Sequence, residues 1–456
     1  MAELPRLLLT AAHSGGGKTT VTCALLQALV NRGLRPAAFK CGPDYIDPMF
    51  HSEIIGARSR NLDLFLMGEA AVKDLLLENG RSGDVAIIEG VMGYYDGVAM
   101  GHRASAYDLS RQTATPAVLV VDGRGAALSL AALVKGFLSF RPDSTLRAVI
   151  FNQVSPMLYP RLKACIEAET GLAVCGFLPP APECAIESRH LGLVTAAEVD
   201  ALQEKLRRLS QLAERYIDID RLLSIARSAP ALTVPSPPPL PAVPGRPRIA
   251  VARDKAFCFY YADGLRLLEK LGAELVFFSP LSDAALPKEI GGIYLGGGYP
   301  ELFAKELSEN LSMRRSVSGA VSRGVPTVAE CGGFLYLHRL LSDDAGREWP
   351  MAGVFPSRAS NTGRLGRFGY VTLTAKTDGL LCGAGETLPA HEFHYWDSDR
   401  PGDAFSAQKP QSERHWDCAF HTPTLYAGFP HFHFCGCPDA AHRFVSACQR
   451  CQEVSL

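Results

Sequence analysis

The sequence predicts an α/β protein of two domains, each a mostly parallel sheet flanked by helices. Three observations predict it. Short β-rich runs alternate with helical patterns in both halves of the chain, as parallel sheets require. Glycine-rich turns follow individual strands and lead into helices. Between the halves lies SAPALTVPSPPPLPAVPGRP, residues 228–247, whose prolines exclude helix and sheet interior and make a stiff, extended linker. The 456 residues exceed one compact core, so the expected domains are residues 1–227 and 248–456.

In the first half the runs Leu7–Ala11, Ala37–Lys40, Val85–Glu89, Ala117–Asp122 and Ala148–Asn152 read as strands. Between the first two, Val21, Ala24, Leu25, Ala28 and Leu29 follow helical spacing, and Gly33 is a natural stop. Val199–Ala226 is helical and highly charged, and is expected to be a solvated helical pair closing the domain. In the second half the strands are Ile249–Ala252, Glu274–Phe278, Gly292–Leu295 and Thr327–Ala329, followed by shorter ones at Tyr370–Thr374 and Glu392–Tyr395.

Composition narrows the class. A hydrophobic content of 47% and charged content of 20% are globular, and a net charge of −1 offers neither a basic footprint for nucleic acid nor the acidic excess of a disordered chain. No apolar run is long enough to span a membrane, and the short apolar start leads straight into a glycine loop rather than a cleavage site. With no export signal, the thirteen scattered cysteines are expected to be thiols in a reducing cytoplasm.

The first glycine turn carries chemistry. Strand Leu7–Ala11 runs into Ser14-Gly15-Gly16-Gly17-Lys18-Thr19-Thr20 and then a helix, the context of a P-loop. Its backbone N–H groups curl around phosphate, Lys18 reaches the outer phosphates and Thr19 suits Mg2+; the strict pattern has its first glycine where Ala12 stands. Glu89 ends the third strand at the sheet edge where ligands bind, and joins Asp44, Asp47 and Asp96 on neighbouring loops. Four carboxylates at one edge suit Mg2+ and phosphoryl transfer, although each alone also reads as a turn residue. Asn152, at a strand end, either reads an adenine edge or closes an Asx turn.

The second turn presents a thiol. Thr327–Ala329, Glu330, Cys331, Gly332 and Gly333 lead into an apolar helix, the logic of a nucleophile elbow. Upstream, the backbone amides of Gly297 and Gly298 follow another strand and suit an oxyanion hole. A thiol needs a base. His431 is favoured, with His433 two residues on along the same strand face; His391 and His394 are the next candidates.

At these residues the chain resembles a known family. The first half looks like a P-loop domain of the dethiobiotin-synthetase type, the second like a triad-type glutamine amidotransferase domain. Their order is similar to cobyrinate a,c-diamide synthases, as are KCGPDYIDP from Lys40, EGVMGYYDG from Glu89, AFCFYYADG from Ala256, LGGGYPE from Leu295, AECGG from Ala329 and HEFHY from His391. The likeness runs from Leu7 to about Cys448. It implies ATP on Ser14–Thr20, Mg2+ on Thr19, Asp47 and Glu89, and Asp44, Tyr45, Ile46 and Asp96 facing the carboxylate of a corrin-type tetrapyrrole. It also implies that Cys331 takes nitrogen from glutamine with help from His431. Triad amidotransferases carry Glu two residues after that His; here His433 stands there, which leaves the third member open. Two further departures are Ala11 and Gly428-Phe429, where the family has Gly and Ser-Tyr.

The implied reaction makes an acyl phosphate of each of two carboxylates and feeds it ammonia along a closed interdomain path. Nucleic acid and membrane are not expected partners, and a homodimer is compatible. Ni-sirohydrochlorin and hydrogenobyrinate are alternative substrates, and a non-synthetic P-loop regulatory ATPase is the alternative from another class. Cys435, Cys437, Cys448 and Cys451 have ligand-like spacing that a structural metal would use.

Overall fold

The computed structural model describes residues 3–184, 196–234 and 240–455. The chain divides into two compact units, Met1–Ser236 and Pro237–Leu456. Of the expected linker, residues 235–239 lie outside the described residues. Its flanks are tied to their own units. Arg6, fully buried, donates to the Pro230 carbonyl at 2.7 Å, and the Val243 amide donates to Leu271 O at 2.8 Å.

Unit 1 is built on seven strands: β1 Arg6–Ala11, β2 Pro36–Cys41, β3 Ser59–Leu62, β4 Val85–Glu89, β5 Ala117–Asp122, β6 Leu146–Asn152 and β7 Ala173–Leu178. They lie in the order β3-β2-β4-β1-β5-β6-β7, all parallel. Helices cover both faces of such a sheet, which is why β1 and β4 are buried at every residue and are largely apolar. β1 lies between β4 and β5, so the chain moves to one side after β1 and to the other after β4. That reversal opens a crevice at the carboxyl ends of these strands, where ligands bind in open α/β sheets.

The charged helical segment differs from expectation. It forms helices Ala196–Tyr216 and Ile219–Arg227, and Leu206, Leu209, Ala213, Ile219, Leu222 and Ala226 lie in the main core with Leu7, Leu25 and Leu29. The charges occupy only the outer face, as in the Glu204–Arg207 and Glu204–Arg208 pairs. High charge density disguised an amphipathic stripe.

Unit 2 contains the expected parallel strands β8 Arg248–Ala252, β9 Glu274–Phe278, β10 Gly292–Leu295 and β11 Thr327–Glu330. Leu425–Gly428 joins them next to β11, and Phe420–Thr422 caps that edge antiparallel. Two more sheets, which the sequence hinted at only through two short runs, complete the unit. One has four strands; the other is antiparallel, with five, and pairs Arg367–Ala375 with Thr387–His394. Thr387–His394 alternates buried and exposed residues, a weaker signal than a buried parallel strand, and Pro389 interrupts it. The expected strand Glu392–Tyr395 stops at His394, and Trp396–Ser398 belongs to the other sheet.

Candidate active site

The phosphate end of unit 1 begins at β1. Helix Lys18–Asn31 starts at Gly17 with no side-chain cap, so its first amides keep the loop's anion-binding character. Gly15 and Gly17 have φ of 79° and 89°, which L side chains resist. A Cβ on Gly17 would also meet Asn152 Nδ2 at 2.0 Å, so the end of β6 rests on the loop backbone. Thr20 lies inside the first helical turn, and Ser14 and Gly16 lie in the loop itself.

Lys18 Nζ folds back onto the carbonyls of His13 and Met92. Burial, then neighbouring Lys40, lowers its ammonium to about 8. A cation held this way is ready to exchange those carbonyls for phosphate oxygens. Glu89, fully buried at the end of β4, accepts from Thr19 Oγ1 at 2.6 Å and from Lys40 Nζ at 2.8 Å, and His51 Nε2 lies 3.3 Å from its other oxygen. Lys40 also pairs with Asp47 at 2.5 Å. Burial opposes the Lys40 charge, but Glu89 and Asp47 together hold it well above the usual range. Glu89 lies below the carboxylate range: burial works the other way and Lys40 overrides it. Asp47 lies above that range through burial and the Glu89 charge.

Asp44 Oδ1 accepts from the amides of Ile46 and Asp47, and so braces the start of helix Ile46–Glu53, whose N-cap is Tyr45. Asp96 Oδ2 accepts from the Gly93 amide in its turn. The fold therefore joins Asp47 and Glu89 through Lys40, with Thr19 bound directly to Glu89, and leaves Asp44 and Asp96 at the margins as turn-forming carboxylates. Lys40 and His51 carried no role in the sequence reading. The available signal was a lysine in a strand that buries all its residues.

The thiol end of unit 2 is a tight turn. Cys331 follows β11 with φ 46° and ψ −99°, and helix Gly332–Leu337 begins immediately after it. Neighbouring backbones allow no side chain: a Cβ on Gly333 would lie 2.2 Å from Leu295 O, and one on Gly332 3.0 Å from Gly298 N. The Gly297–Gly298 loop thus lies against the elbow, and a Cβ on Gly297 would meet His431 Cε1 at 2.6 Å. Cys331, His431 and the two glycines come together.

Glu330 joins them. Its Oε2 lies 3.4 Å from His431 Nδ1, with both side chains buried. Burial alone would lower the His431 imidazole, but hydrogen bonding with Cys331 and Glu330 outweighs it and pushes it up to about 10. His433 does not share the strand face. The strand ends at Phe432, and the His433 ring stacks on Tyr261 at 4.6 Å while Nδ1 accepts from the Cys435 amide. Burial lowers its imidazole to about 3. His394 is taken up by Trp396 O at 2.6 Å and by stacking on Phe429, while His391 pairs across strands with His431. Glu330 gives no local signal in the sequence, because the triad pattern puts its carboxylate after the histidine, not before the thiol.

Among the described residues no group of three or more His, Cys, Asp or Glu is arranged to hold a metal, so the four C-terminal thiols form no such cluster. Cys435 Sγ faces Asp263 O, and Cys448 packs against Gly291 and Gly292. Among the same residues no helix is long and apolar enough to cross a membrane.

Residues 7–193 match the family model of the CobQ/CobB/MinD/ParA nucleotide binding domain, and residues 248–437 that of the CobB/CobQ-like glutamine amidotransferase domain. A cobyrinate a,c-diamide synthase of Thermoplasma volcanium is 40% identical over 452 residues, 98% of each chain. One of Salmonella typhimurium is 40% identical over 452 residues, covering 97% of this chain and 98% of its own. One of Caldanaerobacter subterraneus is 38% identical over 445 residues, covering 97% and 98%.

Proposed function

The chain belongs to the cobyrinate a,c-diamide synthase family, glutamine-hydrolysing ligases of cobalamin biosynthesis, and we propose how its residues divide that reaction. ATP is a substrate of unit 1, held by Ser14–Thr20 with Asn152 against the loop. The acceptors are the a and c carboxylates of cobyrinate, presented near Asp44, Tyr45, Ile46 and Asp96. A carboxylate is a poor acyl donor. Its oxygen takes the γ-phosphoryl group, ADP leaves, and an acyl phosphate results. Lys18 faces the charge that develops on the transferred group.

Thr19, Asp47 and Glu89 fit Mg2+. They offer hard oxygen donors, and Thr19 Oγ1 lies 2.6 Å from Glu89 Oε1 at the carboxyl ends of the strands, beside the phosphate loop. When bound, Mg2+ neutralises phosphate charge.

In unit 2, Cys331 Sγ attacks the side-chain carbonyl carbon of glutamine. His431, whose imidazole is pushed up to about 10 beside Cys331 and Glu330, holds the proton taken from the thiol and passes it to the departing nitrogen, which leaves as ammonia. Water then hydrolyses the thioester to glutamate. Gly297 and Gly298 line the side where the oxyanion forms. Ammonia displaces phosphate from the acyl phosphate, and two rounds give the a,c-diamide.

The observation that supports this reading most is the joining, in one chain, of a phosphate loop with Lys18 and a positive-φ thiol beside His431. The test is Cys331→Ala, assayed with cobyrinate, ATP and either glutamine or ammonium. Glutamine-driven amidation should vanish and ammonium-driven amidation should remain. Loss of both reactions refutes the division of labour.

A further inference from the structure

Resting on Cys331 as the glutaminase nucleophile, we infer that Glu330, the residue before it, is the carboxylate that orients His431, the third member that the family likeness leaves open. Four observations carry this.

The first is position. Glu330 Oε2 faces His431 Nδ1 at 3.4 Å, and the side chains are 1% and 5% exposed. This leaves Nε2 on the side of Gly297, next to the elbow. The second is how the fold delivers both groups. Glu330 ends β11 and pairs in register with Gly428, the last residue of the neighbouring strand. Pro430 follows two residues on, its carbonyl held by the Tyr426 hydroxyl at 3.1 Å, and then comes His431. Neighbouring strand ends therefore set the two side chains against each other. The positive φ at Cys331 lets the thiol reach the same imidazole from the next position in sequence.

The third is cost. A buried carboxylate is expensive unless it is paired and hydrogen-bonded. Burial pushes the Glu330 carboxyl up, and the groups that pull it back are His431 first, then the Phe432 amide and Tyr294. The fourth is exclusion. His433 accepts at Nδ1 from the Cys435 amide and stacks on Tyr261.

The role follows from imidazole chemistry. A proton held on Nδ1, facing Glu330 Oε2 at 3.4 Å, leaves Nε2 to exchange a proton with the thiol. When that proton moves from Cys331 Sγ to Nε2, Glu330 stabilises the imidazolium until Nε2 passes the proton to the glutamine nitrogen, which then leaves as ammonia. Glu330 is a positioning residue: it acts through His431. Such constellations are recognised by geometry and not by chain order.

The experiment uses the full chain and measures glutamate release across pH. The groups that face His431 are Cys331, Glu330 and His391 on the paired strand, with Tyr260, Tyr294 and Tyr426 around Glu330. Glu330→Gln is expected to lower kcat by roughly 10²–10⁴-fold, in line with a carboxylate that holds a histidine tautomer. KM for glutamine should stay within about threefold, and the pH limb set by His431 should move to lower pH. Glu330→Asp should restore part of kcat, and His433→Gln should leave it within about threefold.

Glu330→Gln with near-native kcat, or with a loss but an unmoved pH limb, overturns the inference. So does a large loss in His433→Gln alone. If Glu330→Gln fails to fold, Glu330→Asp and its pH profile decide by the same criteria. Full glutaminase in Cys331→Ala would instead defeat the reading on which the inference rests.

Discussion

Lys40→Met tests whether the phosphate end of unit 1 is organised around a buried cation. The lysine ammonium lies between Asp47 at 2.5 Å and Glu89 at 2.8 Å, and all three side chains are less than one-tenth exposed. Methionine keeps most of the volume and removes the charge, leaving two buried carboxylates facing each other. Removing one partner of a buried ion pair costs about 3–5 kcal/mol. For a unit of this size each kcal/mol shifts Tm by roughly 2–4 °C, so unit 1 should melt about 6–20 °C lower in metal-free buffer.

The assay can separate the units because the three tryptophans, Trp349, Trp396 and Trp416, all lie in unit 2. Far-ultraviolet circular dichroism should reveal the early transition while the tryptophan-fluorescence transition stays in place. Adding Asp47→Asn should recover part of the loss, since one carboxylate of the facing pair is gone. A shift below about 2 °C, or one that appears in the fluorescence instead, would refute Lys40 as the counter-ion.

Two further outcomes concern unit 2. Gly297→Ala places a methyl group 2.6 Å from His431 Cε1, so glutaminase kcat should fall at least tenfold while ammonium-driven amidation continues; steady-state kinetics with each nitrogen source checks this. His431 titrates at about 10 in the fold, above the roughly 6.5 of an unfolded histidine. A raised value of this kind stabilises the fold fully below the unfolded value, and the stabilisation is lost as pH rises toward 10. The tryptophan-monitored Tm of unit 2 should therefore decline from pH 7 to 10, and decline less in His431→Gln; equal slopes would contradict the proton on His431.

Elements whose signal is local could be read from the residues alone. β4, β5 and β10 match their expected limits because a buried parallel strand is a largely apolar run between turn residues. The phosphate loop and the thiol elbow were legible for a similar reason: each is a strand, a glycine turn and a helix start, consecutive in the chain. Tertiary structure alone decided the partners. Lys40 meets Glu89 because β2 and β4 are neighbours in register, although 49 residues separate them. Glu330 meets His431 because β11 pairs with Leu425–Gly428. His433, two residues from His431, is carried away as the strand ends at Phe432 and the chain turns toward Tyr261. Sequence spacing predicts which face a side chain takes only while the regular backbone lasts, whereas charge pairing across a sheet depends on strand order and register, which are global properties of the fold.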